Sequence, residues 1–270
     1  MKIAVDGFTL GIAKGTGLTT YARELCGVLT SAGHSIYPVY GLPRVSRKPL
    51  LRQASFIQRL CNKGEPKTRD ILAWSPAAVG HFFRLLTGLS SPIRKVAGNE
   101  HSYALGAVRD MLPLFETAFN AEGVYRAAQF LSYVTHKPLR MRFSADDDPN
   151  IDLFHITSPL PLRIKKIPTI VSIHDIIPIV FSHSTKYNIS HYYNLVYASI
   201  KNADIIFSVS EHTKNDILRL FKINESKIHV TYQSSSLEDR YDPLDDDYVK
   251  KIYMIFLIWN TKNIFYIMEI

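Results

Sequence analysis

The sequence predicts an α/β protein built on a doubly wound, Rossmann-like parallel sheet with a mainly helical insertion. Apolar runs of strand length alternate with longer amphipathic runs over residues 2–40 and again from residue 152 onward. A glycine-rich turn separates the first apolar run from the first amphipathic one. Strands that alternate with helices are joined by crossover connections, and they therefore pair in parallel within one sheet.

The first forty residues predict a strand, a helix and a second strand. The strands are "KIAVD" at 2–6 and "SIYPVY" at 35–40. Between them, apolar residues recur at helical spacing from Leu18 to Leu29, and Gly33 is placed to end the helix. This order predicts one βαβ unit.

The segment from about residue 44 to 150 predicts a mainly helical insertion that carries a basic patch. Its stretches "SPAAVGHFFRLLTGL" and "EHSYALGAVRDMLPLFETAF" resemble helices, and no strand rhythm is evident. Residues 44–69 contain eight Lys or Arg residues and one acidic residue, Glu65. Such a patch suits an anionic partner such as a membrane surface, although a solvated surface has the same composition.

Strand–helix alternation resumes at Asp152. Four strands are predicted, at 152–156, 168–174, 204–209 and 227–232, with one helix over 185–203 and another that Ser210 caps. The domain is predicted to span residues 1–240, and residues 241–270 to form a linker and an aberrant or truncated tail.

Polar residues from three distant positions follow predicted strands directly. His174 and Asp175 end the strand in "IPTIVSIHDIIPIV", Gly15–Gly17 follow the first strand, and Ser210–Glu211 follow the strand at 204–209. Because ligands of parallel α/β sheets bind beyond the carboxyl ends of the strands, these residues are expected to share one crevice. A structural strand end is the alternative for His174 and Asp175, and a plain glycine turn for Gly15–Gly17.

The spacing of the motif residues argues against several kinds of binding or catalytic site. A dinucleotide fingerprint would place its third glycine at Thr20, and Ser210 lies outside a nucleophile-elbow motif. No cluster with metal-ligand spacing is evident, so no metal or other cofactor is expected. The basic patch 44–69 lacks the interleaved aromatic residues of a nucleic-acid stacking platform.

The sequence favours a cytoplasmic protein. It has only two cysteines, which suits a reducing compartment, and a charge at Asp6 precedes any long apolar run, so no signal peptide is expected.

Three stretches together resemble the N-terminal half of a retaining glycosyltransferase of family four, which has the GT-B fold. They are "MKIAVDGFTLG…GTGLTTYARELCGVLTSAGH", "DLFHITSPLPLRIKKIPTIVSIHDIIPI" and "ADIIFSVSEHTKNDILRLFKINESKIHVTY", and they cover roughly residues 1–41 and 152–235. Proteins of that family have two Rossmann-like domains that face a cleft. The N-terminal domain mainly holds the acceptor, and the C-terminal domain mainly holds the nucleotide-sugar donor.

The resemblance also implies roles for individual residues. Gly15, Thr16 and Gly17 would approach the donor phosphates, His174 would contact the transferred sugar, and Asp175 would help to shape the site. Ser210 and Glu211 match the family's "SE.TK" segment, which begins a helix at the cleft. The resemblance implies two substrates, a nucleotide sugar and a glycan or lipid-linked acceptor of surface-polysaccharide biosynthesis. The enzyme would be a hexosyltransferase similar to mannosyltransferases, and it would transfer the sugar from the nucleotide to the acceptor. The basic patch would then contact the inner face of the membrane.

The end of the chain departs from the family pattern. After "YDPLDDD" the sequence continues as "YVKKIYMIFLIWNTKNIFYIMEI", without the glycine-containing basic turn or the spaced glutamates of a donor-binding domain. We interpret this as a truncated or frameshifted product, expected to have negligible transferase activity by itself. The alternative is a non-catalytic binding or partner protein built on the same fold, in which the tail contacts a partner.

Overall fold

The computed structural model describes residues 1–10, 17–42, 89–98, 117–181 and 188–233, together with short pieces between residues 48 and 87. The chain divides into two compact units, Met1–Gln233 and Ser234–Ile270. All described residues belong to the first unit.

The first unit contains ten strands and five α-helices among its described residues. The strands are β1 (Lys2–Asp6), β2 (Ser35–Tyr40), β3 (Ser91–Gly98), β4 (Thr117–Asn120), β5 (Leu139–Phe143), β6 (Leu153–Ile156), β7 (Leu162–Ile164), β8 (Thr169–Ile173), β9 (Ile205–Ser208) and β10 (Ile228–Val230). The helices are α1 (Gly17–Ser31), α2 (Val124–Thr135), α3 (Ile177–Val180), α4 (Ile189–Asn202) and α5 (Glu211–Phe221). Two 3₁₀ turns lie at Ala145–Asp147 and Glu225–Lys227.

The strands form one sheet in the order β10-β9-β8-β6-β1-β2-β4-β3-β5-β7. From β10 to β4 every pairing is parallel, and only β3 with β4 is antiparallel. The strand β5 pairs in parallel with β3, and β7 pairs in parallel with β5, so these three strands run opposite to the rest. Strands lie on both sides of β1 and return through helices, which confirms the α/β, Rossmann-like fold class.

The described part of the segment predicted as a mainly helical insertion contains helices and also strands that were not predicted. Between residues 44 and 150, short helical pieces are described at 51–52, 54–56, 79–80 and 83–84 in addition to the helix α2, and three strands, β3, β4 and β5, join the sheet. In β5 the buried residues Leu139 and Met141 alternate with the exposed Arg140 and Arg142. Alternation with a period of two is typical of a half-buried strand. The stretch is so short that the longer segment around it can still be read as helical. The basic patch at 44–69 lies almost wholly outside the described residues.

The core lies on both faces of the parallel part of the sheet. Every residue of β6 and β8 is buried, as expected for parallel strands covered by helices on each side. The helix α1 contributes Ala22, Cys26 and Leu29, and α4 contributes Val196 and Ile200. Burial of a larger aliphatic side chain among these, such as Leu29 or Ile200, stabilises the fold by about 1.5–3 kcal/mol relative to an exposed one. The carboxyl ends of β1, β6, β8 and β9 are thereby held at one rigid edge.

Candidate functional site

His174 follows β8 directly and is fixed by hydrogen bonds at both ring nitrogens. Its Nε2 lies 2.9 Å from the carbonyl oxygen of Thr157, and its Nδ1 lies 2.6 Å from Nε2 of Gln233. A carbonyl oxygen only accepts, so the proton of the neutral ring is on Nε2 and Nδ1 is the acceptor. The nitrogen that can accept a hydrogen bond from a ligand is therefore Nδ1.

Two helices reach His174 from different parts of the chain. The ring of Tyr21 on α1 meets the imidazole edge-to-face, with centroids 4.6 Å apart and planes at 84°. From α5, Oγ1 of Thr213 donates to the carbonyl oxygen of His174 over 3.3 Å. Burial lowers the pKa of His174, and the hydrogen bond to Thr157 and the charge of Asp175 only partly oppose this. The imidazole is therefore neutral at pH 7.

A buried polar chain lies beneath the same edge. The hydroxyl of Ser172 on β8 contacts the Tyr21 hydroxyl at 2.9 Å and Nε2 of His155 at 2.8 Å. His155 is fully buried on β6, and desolvation, with a smaller contribution from His174, lowers its pKa to about 3. Sequence reasoning did not select these three residues. Their one signal is that each is a polar side chain on a face that is otherwise apolar.

Asp6 joins the ends of β1 and β6. One carboxylate oxygen accepts hydrogen bonds from the backbone N–H of Thr157 and from its hydroxyl at 2.7 Å, and the other accepts from the N–H of Phe8 at 3.1 Å. The next residue, Gly7, has no room for a side chain, because a Cβ there would lie 2.6 Å from the ring of Tyr40. Asp6 thus holds Thr157, whose carbonyl orients His174.

A family model described as Glycosyltransferase Family 4 matches residues 119–234. The matched residues 119–234 therefore have the sequence features of a family-4 glycosyltransferase domain. The matched range runs from β4 to the end of the described unit and includes His174, Asp175, Ser210 and Glu211. No curated protein matches the chain significantly. The general activity of this glycosyltransferase domain is glycosyl transfer, between a sugar donor and an acceptor.

The residues predicted from sequence for this glycosyltransferase site are only partly described. Gly15 and Thr16 lie outside the described residues, and Gly17 is the first residue of α1. Apart from its chain neighbours and the backbone of its own helix, no heavy atom of the described residues lies within 4 Å of a Cβ built at Gly17, so the space beside it is open within the described part of the chain. Since Tyr21 lies one helical turn further on and contacts His174, the start of α1 and His174 share one edge.

Asp175 and Ser210 have structural partners in the glycosyltransferase domain. A carboxylate oxygen of the exposed Asp175 accepts from the backbone N–H of Ile177, at the start of the short helix α3. Ser210 is the N-cap of α5 and accepts from the N–H of Thr213 at 3.1 Å. Glu211 is exposed in the first turn of α5. The structure thus brings the start of α5 to His174 through Thr213, while Asp175 contacts the chain that follows it.

Across the described residues, no group of three or more His, Cys, Asp or Glu side chains is arranged to hold a metal ion. None of the described helices is both long and apolar enough to cross a bilayer.

Proposed function

We propose that this domain is the acceptor-side half of a nucleotide-sugar-dependent glycosyltransferase and that His174 contacts the sugar being transferred. The observation that carries the proposal is the fixed, neutral imidazole at the carboxyl end of β8, with Nδ1 as its hydrogen-bond acceptor. A sugar hydroxyl is a donor that this nitrogen accepts. Gln233 now supplies the hydrogen to Nδ1, so a bound sugar replaces that contact.

The start of α1 is the proposed position of the donor phosphates. A helix of fifteen residues begins at Gly17, and its first backbone N–H groups favour an anion. The open space beside Gly17 leaves room for a phosphate group. With phosphate stabilised by backbone groups, transfer requires no metal ion.

The proposed function also includes a sugar, an acceptor and a cellular location. We expect a hexose, with mannose as the first candidate, to pass to a glycan or lipid-linked acceptor of surface-polysaccharide assembly. The protein would act in the cytoplasm, with residues 44–69 against the anionic inner face of the membrane. The described domain forms one wall of the cleft, and alignment of two substrates supplies much of the rate. We therefore expect little turnover from this wall alone.

Binding of GDP-mannose and UDP-glucose to the purified chain tests the proposal. By titration calorimetry, the His174→Ala variant should bind the preferred nucleotide sugar about tenfold more weakly, which is the cost of one lost hydrogen bond. His191→Ala is the matched control, because His191 is a half-buried histidine in α4 whose ring lies against Tyr133. Its affinity should equal that of the unmodified chain.

The same titration decides between the transferase and a non-catalytic binding protein. If neither nucleotide sugar binds, or if His174→Ala and His191→Ala bind equally well, His174 does not contact the donor sugar. The partner-protein alternative would then be preferred.

A further inference from the structure

A groove of about 690 Å³ lies along β5 and β7, formed by residues other than those around His174. Its lining comes from the residues before β3, the start of β5, the strand β7 with the turn after it, and the end of α4. The lining residues are Arg84, Leu89, Ser90, Lys137, Pro138, Arg140, Arg163, Lys165, Lys166 and Asn202.

The groove is strongly cationic. Six of its lining residues are Lys or Arg, and none of the lining residues is acidic. Arg163 is partly neutralised, because its guanidinium lies 3.2 Å from the carboxylate of Asp204 and donates to the carbonyl oxygen of Asn202 at 2.7 Å. The two other ion pairs in the described part of the chain join residues outside the groove. Five cations are therefore left without a carboxylate partner among the described residues.

The sheet places two of these cations side by side. Arg140 on β5 is directly opposite Arg163 on β7 in the parallel register. Leu139 and Met141 point into the core, so Arg140 points outward and is exposed. Like charges directly opposite on neighbouring strands are destabilising, and an anion bound between them removes that repulsion.

We propose that this groove binds a ligand that carries two or more phosphate groups. Its volume is that of a small-molecule site and exceeds the size of a single phosphate ion. Arginine forms paired hydrogen bonds with phosphate oxygens, and lysine adds compact positive charge. Leu89, which is 63% exposed, and Pro138 give the groove an apolar wall for the uncharged part of the ligand. The phosphates belong either to a soluble oligophosphate or to lipid headgroups.

The full-length chain is tested with two probes, one for each source of phosphate. Sodium tripolyphosphate is titrated by calorimetry, and sedimentation measures binding to phosphatidylcholine vesicles with and without phosphatidylglycerol. The groove variant is Arg140→Gln/Lys165→Gln, in which both substituted side chains are exposed. Lys166 is left unchanged because its φ is +66°, where a substitution also alters the backbone energy.

A charge-matched control separates the groove from general positive charge. Arg142→Gln/Lys95→Gln also removes two exposed cations, one from β5 and one from β3, and neither residue lines the groove. Circular dichroism and thermal unfolding should show that both variants are folded.

Binding of either probe that falls about tenfold in the groove variant and stays within about twofold in the control supports the proposal. Loss of tripolyphosphate binding identifies a soluble ligand, and loss of vesicle binding alone identifies lipid headgroups. Absence of binding to both probes, or equal loss in the two variants, overturns the proposal. This result does not bear on His174, whose test uses different variants and probes.

Discussion

Asp6 is a buried carboxylate that accepts hydrogen bonds from two chain segments, and Thr157 is 151 positions away from it. An Asp6→Asn substitution keeps the size of the side chain. It replaces one accepting oxygen by a donating NH₂ group and also removes the negative charge of the side chain. Because hydrogen bonds to a buried charged group contribute about 1.5–3 kcal/mol each, we expect the free energy of unfolding to fall by about 2–3 kcal/mol. Urea denaturation at pH 7 measures this loss.

Asp152→Asn is the control for Asp6→Asn. The Asp152 carboxylate also accepts from a backbone N–H, that of Lys2 at 2.7 Å, but at the exposed end of β1. Its loss should be below about 1 kcal/mol, since water replaces the acceptor. Equal losses in the two variants would show that burial does not strengthen the Asp6 contacts.

His155 makes the stability of the fold depend on pH. Its pKa is lowered to about 3 in the folded state, whereas the unfolded chain takes up the proton near the ordinary value of 6.5. Stability is therefore full above about pH 6.5 and is lost as the pH falls toward 3. Between pH 7 and 5.5 this one group should lower the free energy of unfolding by about 1 kcal/mol.

Substitution of His155 by Gln tests this pH dependence. The amide keeps a polar contact with Ser172 and does not titrate, so the loss of stability between pH 7 and 5.5 should shrink by about 1 kcal/mol. His174 and His229, whose pKa values are also lowered, still contribute in both proteins. The control is His136→Asn, at the exposed end of α2, where the unchanged φ of 53° suits asparagine. An unaltered pH dependence in His155→Gln would contradict the assignment.

The sequence and the structure both place His174 at the end of a strand, and the reason is physical. A histidine and an aspartate that interrupt an apolar run have to lie where a strand ends, and parallel topology gathers such ends at one edge. Tyr21 and His155 were not predicted, because their contacts depend on which strands are neighbours. The pairing of β6 with β8, rather than any local pattern, brings His155 to Ser172.

At the scale of elements, Ser210 acts as the N-cap of α5. Its hydroxyl satisfies the N–H of Thr213, so Ser210→Ala should lower the free energy of unfolding by about 1 kcal/mol. Ser210→Asp should retain most of the stability, because aspartate also caps helices. Chemical denaturation of the two variants measures both values.

The two Ser210 variants also separate capping from substrate binding. If Ser210 acts only as a cap, Ser210→Asp keeps both the stability and the affinity for nucleotide sugar. A variant that is stable but binds weakly would show that the hydroxyl itself contacts the ligand.

The elements of the parallel part were predicted closely, whereas the strands between residues 44 and 150 were not predicted. β1 and β2 have the predicted bounds, and β8, β9 and α5 differ from theirs by a residue or two. Buried parallel strands are continuous apolar runs, which are visible in the sequence. β3, β4 and β5 lie where the sheet changes direction, and β4 and β5 are short. In β5 the alternation of buried and exposed residues covers only five positions, so it is easily read as part of a helical pattern.

At the scale of the whole molecule, the first unit contains a core of its own. We expect a fragment of residues 1–233 to unfold cooperatively, with a Tm within about 4 °C of the full chain, because the sheet and its helices lie in this unit. Differential scanning calorimetry compares the two proteins. A fragment without a cooperative transition would show that residues 234–270 are needed for folding.

The central position of β1 has a consequence for synthesis of the chain. β1 lies between β2 and β6, and Ile3 is in register with Leu153. A ribosome that adds about 5–20 residues per second makes β6 about 7–30 s after β1. During that interval one edge of β1 has no strand to pair with, and the apolar residues Ile3 and Val5 depend on α1 and β2 for cover. Nascent chains should therefore bind chaperones until residue 156 has left the exit tunnel, and a stalled chain that ends before β6 should aggregate.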